Sequence, residues 1–261
     1  MIEPLARFGF ASKAFVYLVV GVLAASAALK KGGAITDTSG ALKAILSQPL
    51  GNTILFLLAA GLCGYALWRV LDALFDPDRH GTDPKGLAVR IGSLIRAVVY
   101  GALGLESLRL ARGLRGSSGD DTKMWIARVM DLPLGDWIVA LTGAVIVIYA
   151  VSEVASAIRP RKGADMDVSL LPREARGPLL AISRFGVAAR AVILSVAGVF
   201  LVRAGIRSDP SEAHNTRESM LELAGAFQGR WLLLAIALGL LAYAVDQALQ
   251  ARCRRIRSPI G

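Results

Sequence analysis

Apolar residues dominate six stretches of this chain, roughly Phe10 to Leu29, Thr53 to Leu71, Leu94 to Leu110, Trp137 to Ala155, Ser183 to Val202 and Trp231 to Leu249, with polar residues gathered at their ends. A helix needs about 20 apolar residues to cross about 30 Å of hydrocarbon, so the pattern predicts six transmembrane helices. A soluble bundle would instead show a polar face recurring every third or fourth residue. Thr53 to Trp68, Trp137 to Ser152 and Trp231 to Val245 carry no charge at all. The third stretch holds Arg96 and Glu106, close enough to its ends for long side chains to snorkel. The composition, 54% hydrophobic over 261 residues, agrees with a membrane chain.

The same element recurs three times. From Arg7, Arg90 and Arg184 the chain reads RFGFASKAFVYLVVG, RIGSLIRAVVYGALG and RFGVAARAVILSVAG without a gap. Gly9, Gly92 and Gly186 coincide, as do Lys13, Arg96 and Arg190, and Gly21, Gly104 and Gly198. Gly51, Gly135 and Gly229 are each followed fourteen residues later by Tyr65, Tyr149 and Tyr243. The pattern predicts an all-α polytopic membrane protein, one domain spanning 1–261, built from three two-helix units at about 7–72, 90–156 and 184–250, with a basic tail at 251–261. Ala25-Ser26-Ala27 has the form of a signal-peptidase site, but the recurrence of this helix twice more makes the first helix part of the fold. Small residues on one helix face let backbones approach in lipid, so Gly9, Gly21, Gly92, Gly104, Gly186 and Gly198 are expected at helix seams.

Between the two helices of each unit, Thr38, Thr122 and Thr216 stand thirteen residues before the glycine, where helix N-caps are expected. Apolar residues then recur at i, i+3 and i+4: Leu42, Ile45 and Leu46; Ile126, Val129 and Met130; Met220, Leu223 and Ala224. Stretches this short cannot span, and predict amphipathic helices lying in the outer loops.

These helix starts, with the openings Pro49-Leu50-Gly51 and Gln228-Gly229 and the run Tyr65-Ala66-Leu67-Trp68-Arg69, resemble the bacterial membrane family catalogued as domain of unknown function 1206. The resemblance covers nearly the whole chain and implies a bacterial membrane location and no known activity. The third unit departs most: Leu194 stands where Tyr17 and Tyr100 do, and Phe227-Gln228-Gly229 lacks the proline.

A net charge of +10 raises the question of nucleic acid, but the distribution of charge answers to topology. Lys and Arg are enriched in the N-terminus, the second and fourth loops and the C-terminal tail, so the positive-inside rule places both termini in the cytoplasm of a bacterial inner-membrane protein. Arg252, Arg254, Arg255 and Arg257 are candidates for touching anionic lipid headgroups of the bilayer. Cys63 and Cys253 are too far apart in this topology for a disulfide.

No nucleophile elbow, zinc helix, Walker loop or dinucleotide fingerprint is present, and the two histidines, His80 and His214, fall in loops on opposite sides. The inventory therefore points to no catalytic residue, no metal and no cofactor. A scaffold, accessory or lipid- or partner-binding protein is the leading expectation, with a pseudo-threefold transporter or channel as the alternative. The candidate polar cluster comprises Lys13, Arg96 and Arg190 on the odd helices, and Asp72, Glu153 and Asp246 with Tyr65, Tyr149 and Tyr243 on the even ones. Charges at this depth are costly alone, which predicts that bases and acids pair across the bundle, Arg96 with Glu153 in particular.

Overall fold

A computed structural model describes residues 2–29, 35–76, 81, 83–114, 119–158, 167–214, 216–226 and 230–254. Its helices are α1 (Ile2–Ala28), α2 (Thr38–Leu46), α3 (Gly51–Phe75), α4 (Pro84–Ala111), α5 (Gly119–Met130), α6 (Gly135–Ile158), α7 (Arg173–Arg207), α8 (Thr216–Ala226) and α9 (Arg230–Cys253). Short 3₁₀ turns lie at Val168–Leu170 and Pro210–Glu212. Six helices, α1, α3, α4, α6, α7 and α9, are long and apolar enough to cross a membrane. The protein is a polytopic helical bundle, and large apolar side chains such as Leu57, Leu67, Val98, Leu141 and Ile148 lie exposed around it. Trp125, Trp137 and Trp231 are exposed at the end that carries the short helices, the position of an interfacial aromatic belt.

The three units are joined head to tail. The odd helix of each packs on the even helix of the unit before it: α4 on α3, α7 on α6, α1 on α9. The second repeated glycine is the contact point in every case. A Cβ at Gly21 would lie 2.8 Å from Leu241, one at Gly104 2.7 Å from Cys63, and one at Gly198 2.8 Å from Val147. The repeated arginine secures two of the same seams. Arg7 donates to the carbonyls of Ala251 (2.8 Å) and Arg252 (2.6 Å) at the end of α9, and Arg90 to those of Ala73 (2.7 Å) and Leu74 (3.2 Å) at the end of α3. A guanidinium there satisfies orphan carbonyls and meets the negative end of the helix dipole.

Within a unit the first glycine does the corresponding work, but only twice. Gly9 lies against Tyr65 and Gly186 against Tyr243, so α1 packs on α3 and α7 on α9. Gly92 faces no neighbouring helix, and α4 and α6 share no packed seam among the described residues. The sequence accounts for this difference. Gly61 of α3 presses on Ser12, and Gly239 of α9, at the equivalent position, on Ala189. The second unit carries Val145 and Ile95 at these two places, both left exposed. One turn on, Gly64 and Ala242 are replaced by Ile148. Branched side chains hold apart backbones that small residues would let meet.

The short helices follow the same division. Leu42 and Ile45 of α2 and Met220 of α8 are buried in the bundle core. Helix α5 packs beside α6 and the Pro210–Glu212 turn instead, leaving Met124 and Trp125 exposed, with Lys123 in an ion pair to Glu218 of α8 (2.9 Å).

The caps need correction. Asp37, not Thr38, caps α2, its side chain accepting from the Gly40 amide at 2.9 Å, and Thr38 is the first helical residue. Thr122 lies inside α5, which begins three residues earlier at Gly119. Thr216 opens α8 as a helical residue, and Asn215 before it lies outside the described residues. The aspartate wins at α2 because its carboxylate reaches an orphan amide that the threonine, already inside the first turn, does not.

Candidate functional site

Lys13, Arg96 and Arg190 project from equivalent turns of α1, α4 and α7, and each lies over the tyrosine of its own unit. Lys13 Nζ is 4.5 Å from the Tyr65 ring centre, the Arg96 guanidinium 5.5 Å from that of Tyr149 and the Arg190 guanidinium 5.0 Å from that of Tyr243. Two of the cations also reach the odd-helix tyrosine of the next unit: Lys13 lies 4.4 Å from the Tyr100 ring, and Arg190 Nε donates to the Tyr17 hydroxyl at 3.2 Å. The hydroxyls of Tyr17 and Tyr100 stand 3.5 Å apart. The third place in this cycle is Leu194, which offers neither ring nor hydroxyl. Arg96 Nε is correspondingly buried with no hydrogen-bond partner among the described residues.

The expected pairing of bases with acids is therefore corrected. Lys13, Arg96 and Arg190 make no ion pair with Asp72, Glu153 or Asp246 among the described residues; aromatic faces stabilise the cations instead. Arg96 and Glu153 are joined only through Tyr149, whose hydroxyl donates to Glu153 Oε1 at 3.0 Å. Asp72 pairs with Arg69 of its own helix at 3.1 Å and accepts from Ser93 at 3.0 Å. Asp246 accepts from Ser183, from Gln247 (2.9 Å) and from Gln250 (2.7 Å). Serines and amides reach the carboxylates at short range, whereas the cations sit nearer the rings.

Sequence reasoning missed Arg69, which is almost fully buried, donates to the Tyr65 hydroxyl at 2.9 Å and stacks 4.3 Å from Trp68. Its place four residues after Tyr65, on the same helix face, was the available signal. Arg254 folds back over Trp68 (5.0 Å) and Phe10 (5.4 Å) and donates to Gln250, so it is part of this cluster. Arg252 is exposed, and Arg255 and Arg257 lie outside the described residues. His214 stacks on Phe200, 3.7 Å between ring centres; His80 lies outside the described residues.

Two cavities meet this layer from opposite ends. On the side of the chain termini, a cavity of about 270 Å³ is lined by all six spanning helices, with Lys13, Arg69, Arg96, Arg254, Glu153 and Asp246 as its charged groups. On the side of the short helices, a cavity of about 1090 Å³ runs along α4, past the exposed Val99 and Leu105 and the buried Leu103, to Arg190, Tyr17 and Tyr100.

The chain matches the family model described as Domain of Unknown Function (DUF1206) three times over, at residues 8–76, 91–159 and 185–254. The uncharacterized protein YxxB of Bacillus subtilis (strain 168) is 33% identical over 242 residues, covering 93% of this chain and 87% of that protein. No solved structure matches the chain.

Proposed function

This chain belongs to the Domain of Unknown Function (DUF1206) family, and we propose that it is a non-enzymatic membrane protein that binds an anionic amphiphile, a lipid or lipid-like molecule, through its second unit. The observation that carries the reading is the missing seam between α4 and α6, which opens the bundle sideways. What lies beside such an opening in a spanning chain is the bilayer itself. The larger cavity has the volume of a ligand site, an apolar wall from α4 for an acyl chain, and, at its outer end, Arg109 and Arg112 for a negative headgroup, beside the carboxylates of Asp37 and Glu106. The protein resides in the bacterial cytoplasmic membrane with both termini inside, on the distribution of Lys and Arg.

The test is native mass spectrometry of the protein extracted from membranes and then supplied with anionic and zwitterionic lipids. One anionic lipid retained per chain, displaced by another anionic lipid but not by a zwitterionic one, is the expected result. Retention of none, or equal retention of both classes, overturns the reading.

Permeation is the second reading, and one observation favours it: cavities approach the tyrosine–cation layer from both ends. Flux of small anions into proteoliposomes tests it: influx faster than into protein-free liposomes and altered in Tyr17→Ala is the result expected of a pathway through that layer, and influx no faster than into protein-free liposomes overturns it.

A further inference from the structure

We infer that the ligand of the larger cavity is charged at both ends, an α,ω-dicarboxylic chain whose outer carboxylate meets Arg109 and Arg112 and whose inner carboxylate is held by Arg190. The inference deepens the amphiphile reading and rests on it, naming the class of amphiphile that the same cavity takes.

The cavity has two polar ends and an apolar middle. Arg109 and Arg112 stand at the outer end, beside Asp37 and Glu106, while Arg190, Tyr17 and Tyr100 close the inner end. Between them the lining is apolar, with Val20, Leu103, Leu105, Leu194 and Leu240. Tyr100 and Arg109 are nine residues apart on α4, about 14 Å along its axis. An extended chain of about a dozen carbons, at about 1.5 Å per bond along a zigzag, covers that run.

The inner end offers donors and positive charge. Arg190 is half-buried, and its Nε donates to the Tyr17 hydroxyl at 3.2 Å. Nη1 and Nη2 make no hydrogen bond among the described residues, and neither is an enclosed atom, so both open onto the cavity that Arg190 lines. The hydroxyls of Tyr17 and Tyr100 stand 3.5 Å apart; one proton bridges them and the other is left to donate. Arg190 forms no ion pair among the described residues, its other contacts being the Tyr17 and Tyr243 rings. The carboxylates of the cavity lie at its outer end, where Asp37 accepts from the Gly40 amide and Glu106 from the Ser39 hydroxyl.

These donors select the group that fills the inner end. A methyl terminus there would displace water from the guanidinium and replace none of its hydrogen bonds. A hydroxyl would replace hydrogen bonds and leave the charge. A carboxylate accepts from both terminal nitrogens in the planar fork and balances the charge as well.

The experiment titrates the purified full chain in detergent, by calorimetry at neutral pH, with dodecanedioate and with dodecanoate, each corrected for its titration into detergent alone. The expected result is that Arg190→Gln weakens dodecanedioate about tenfold or more, as loss of a charge-assisted hydrogen bond does, and leaves dodecanoate unchanged. Arg109→Gln combined with Arg112→Gln should weaken both probes. Leu194→Glu places a carboxylate one turn from Arg190 and should also weaken dodecanedioate alone; it decides the matter if Arg190→Gln does not fold. Dodecanedioate binding that depends on Arg109 and Arg112 but is untouched by Arg190→Gln and Leu194→Glu keeps the amphiphile reading and overturns the second carboxylate. Equal weakening of dodecanoate and dodecanedioate in Arg190→Gln would show a single headgroup seated inward, and overturns the inference too. Failure of dodecanedioate to bind the wild-type protein overturns it as well, with retention of an anionic lipid in native mass spectrometry then upholding the amphiphile reading by itself.

Discussion

Gly9 of α1 and Tyr65 of α3 lie so close that a Cβ at position 9 would overlap the tyrosine's own, while Gly92, the same residue of the second unit, meets no other helix among the described residues. Gly9→Ala should therefore destabilise the bundle by about 1–3 kcal/mol, the usual cost of overpacking, and Gly92→Ala should be neutral or slightly favourable. Thermal unfolding in detergent measures both. Equal losses would mean that α4 and α6 pack as the other pairs do.

Arg96 and Glu153 touch Tyr149 from its ring face and its hydroxyl, not each other. A double-mutant cycle on Arg96 and Tyr149 should give a coupling of about 0.5–2 kcal/mol, the range of a partly desolvated cation–π contact. The corresponding cycle on Arg96 and Glu153 should give less. A larger value for the second cycle would restore the ion pair.

Ile95 and Val145 keep α4 and α6 apart by bulk, so replacing them with the residues of the third unit, Ile95→Ala with Val145→Gly, should close the seam. The distance between spin labels at Val98 and Ser152 should shorten by several ångströms, at roughly the scale set by helix contacts of about 8–10 Å, and bound lipid should be lost. An unchanged distance distribution would show that side-chain bulk at this level is not what holds the helices apart.

Ser208 is exposed at the C-terminus of α7, on the side of the short helices, and Ser169 is exposed on the opposite side. With Cys63 and Cys253 replaced, a cysteine at 208 should react with an impermeant maleimide in intact cells, and one at 169 only after permeabilisation. The reverse pattern would invert the orientation derived from the charges.

The spans, the triplication and the seam glycines were legible because each depends on a repeated local pattern: apolar runs of membrane length, and small residues in one register. The arginine clamps were half legible. Arg7 and Arg90 recur, but their acceptors are carbonyls of another unit's helix, which a linear pattern does not name. The acid–base pairing misled because offsets of three, four and seven place a carboxylate on a helix face without saying which neighbour's side chain reaches it first; Ser93, Ser183 and Gln250 did. The opening of the second unit was written in Val145 and Ile148 standing against Gly61 and Gly64. It became readable only when the glycines were seen to be contact points.

The unsealed pair α4 and α6 also bears on why three copies sit in one polypeptide. A homotrimer of a two-helix chain has one sequence, so its three internal seams must all be tight or all be loose. Fusion frees each copy to diverge: two act as walls, and the third becomes a doorway with a single threshold. In the function proposed above, this sets the number of bound lipids at one per molecule and fixes their direction of approach by covalent order.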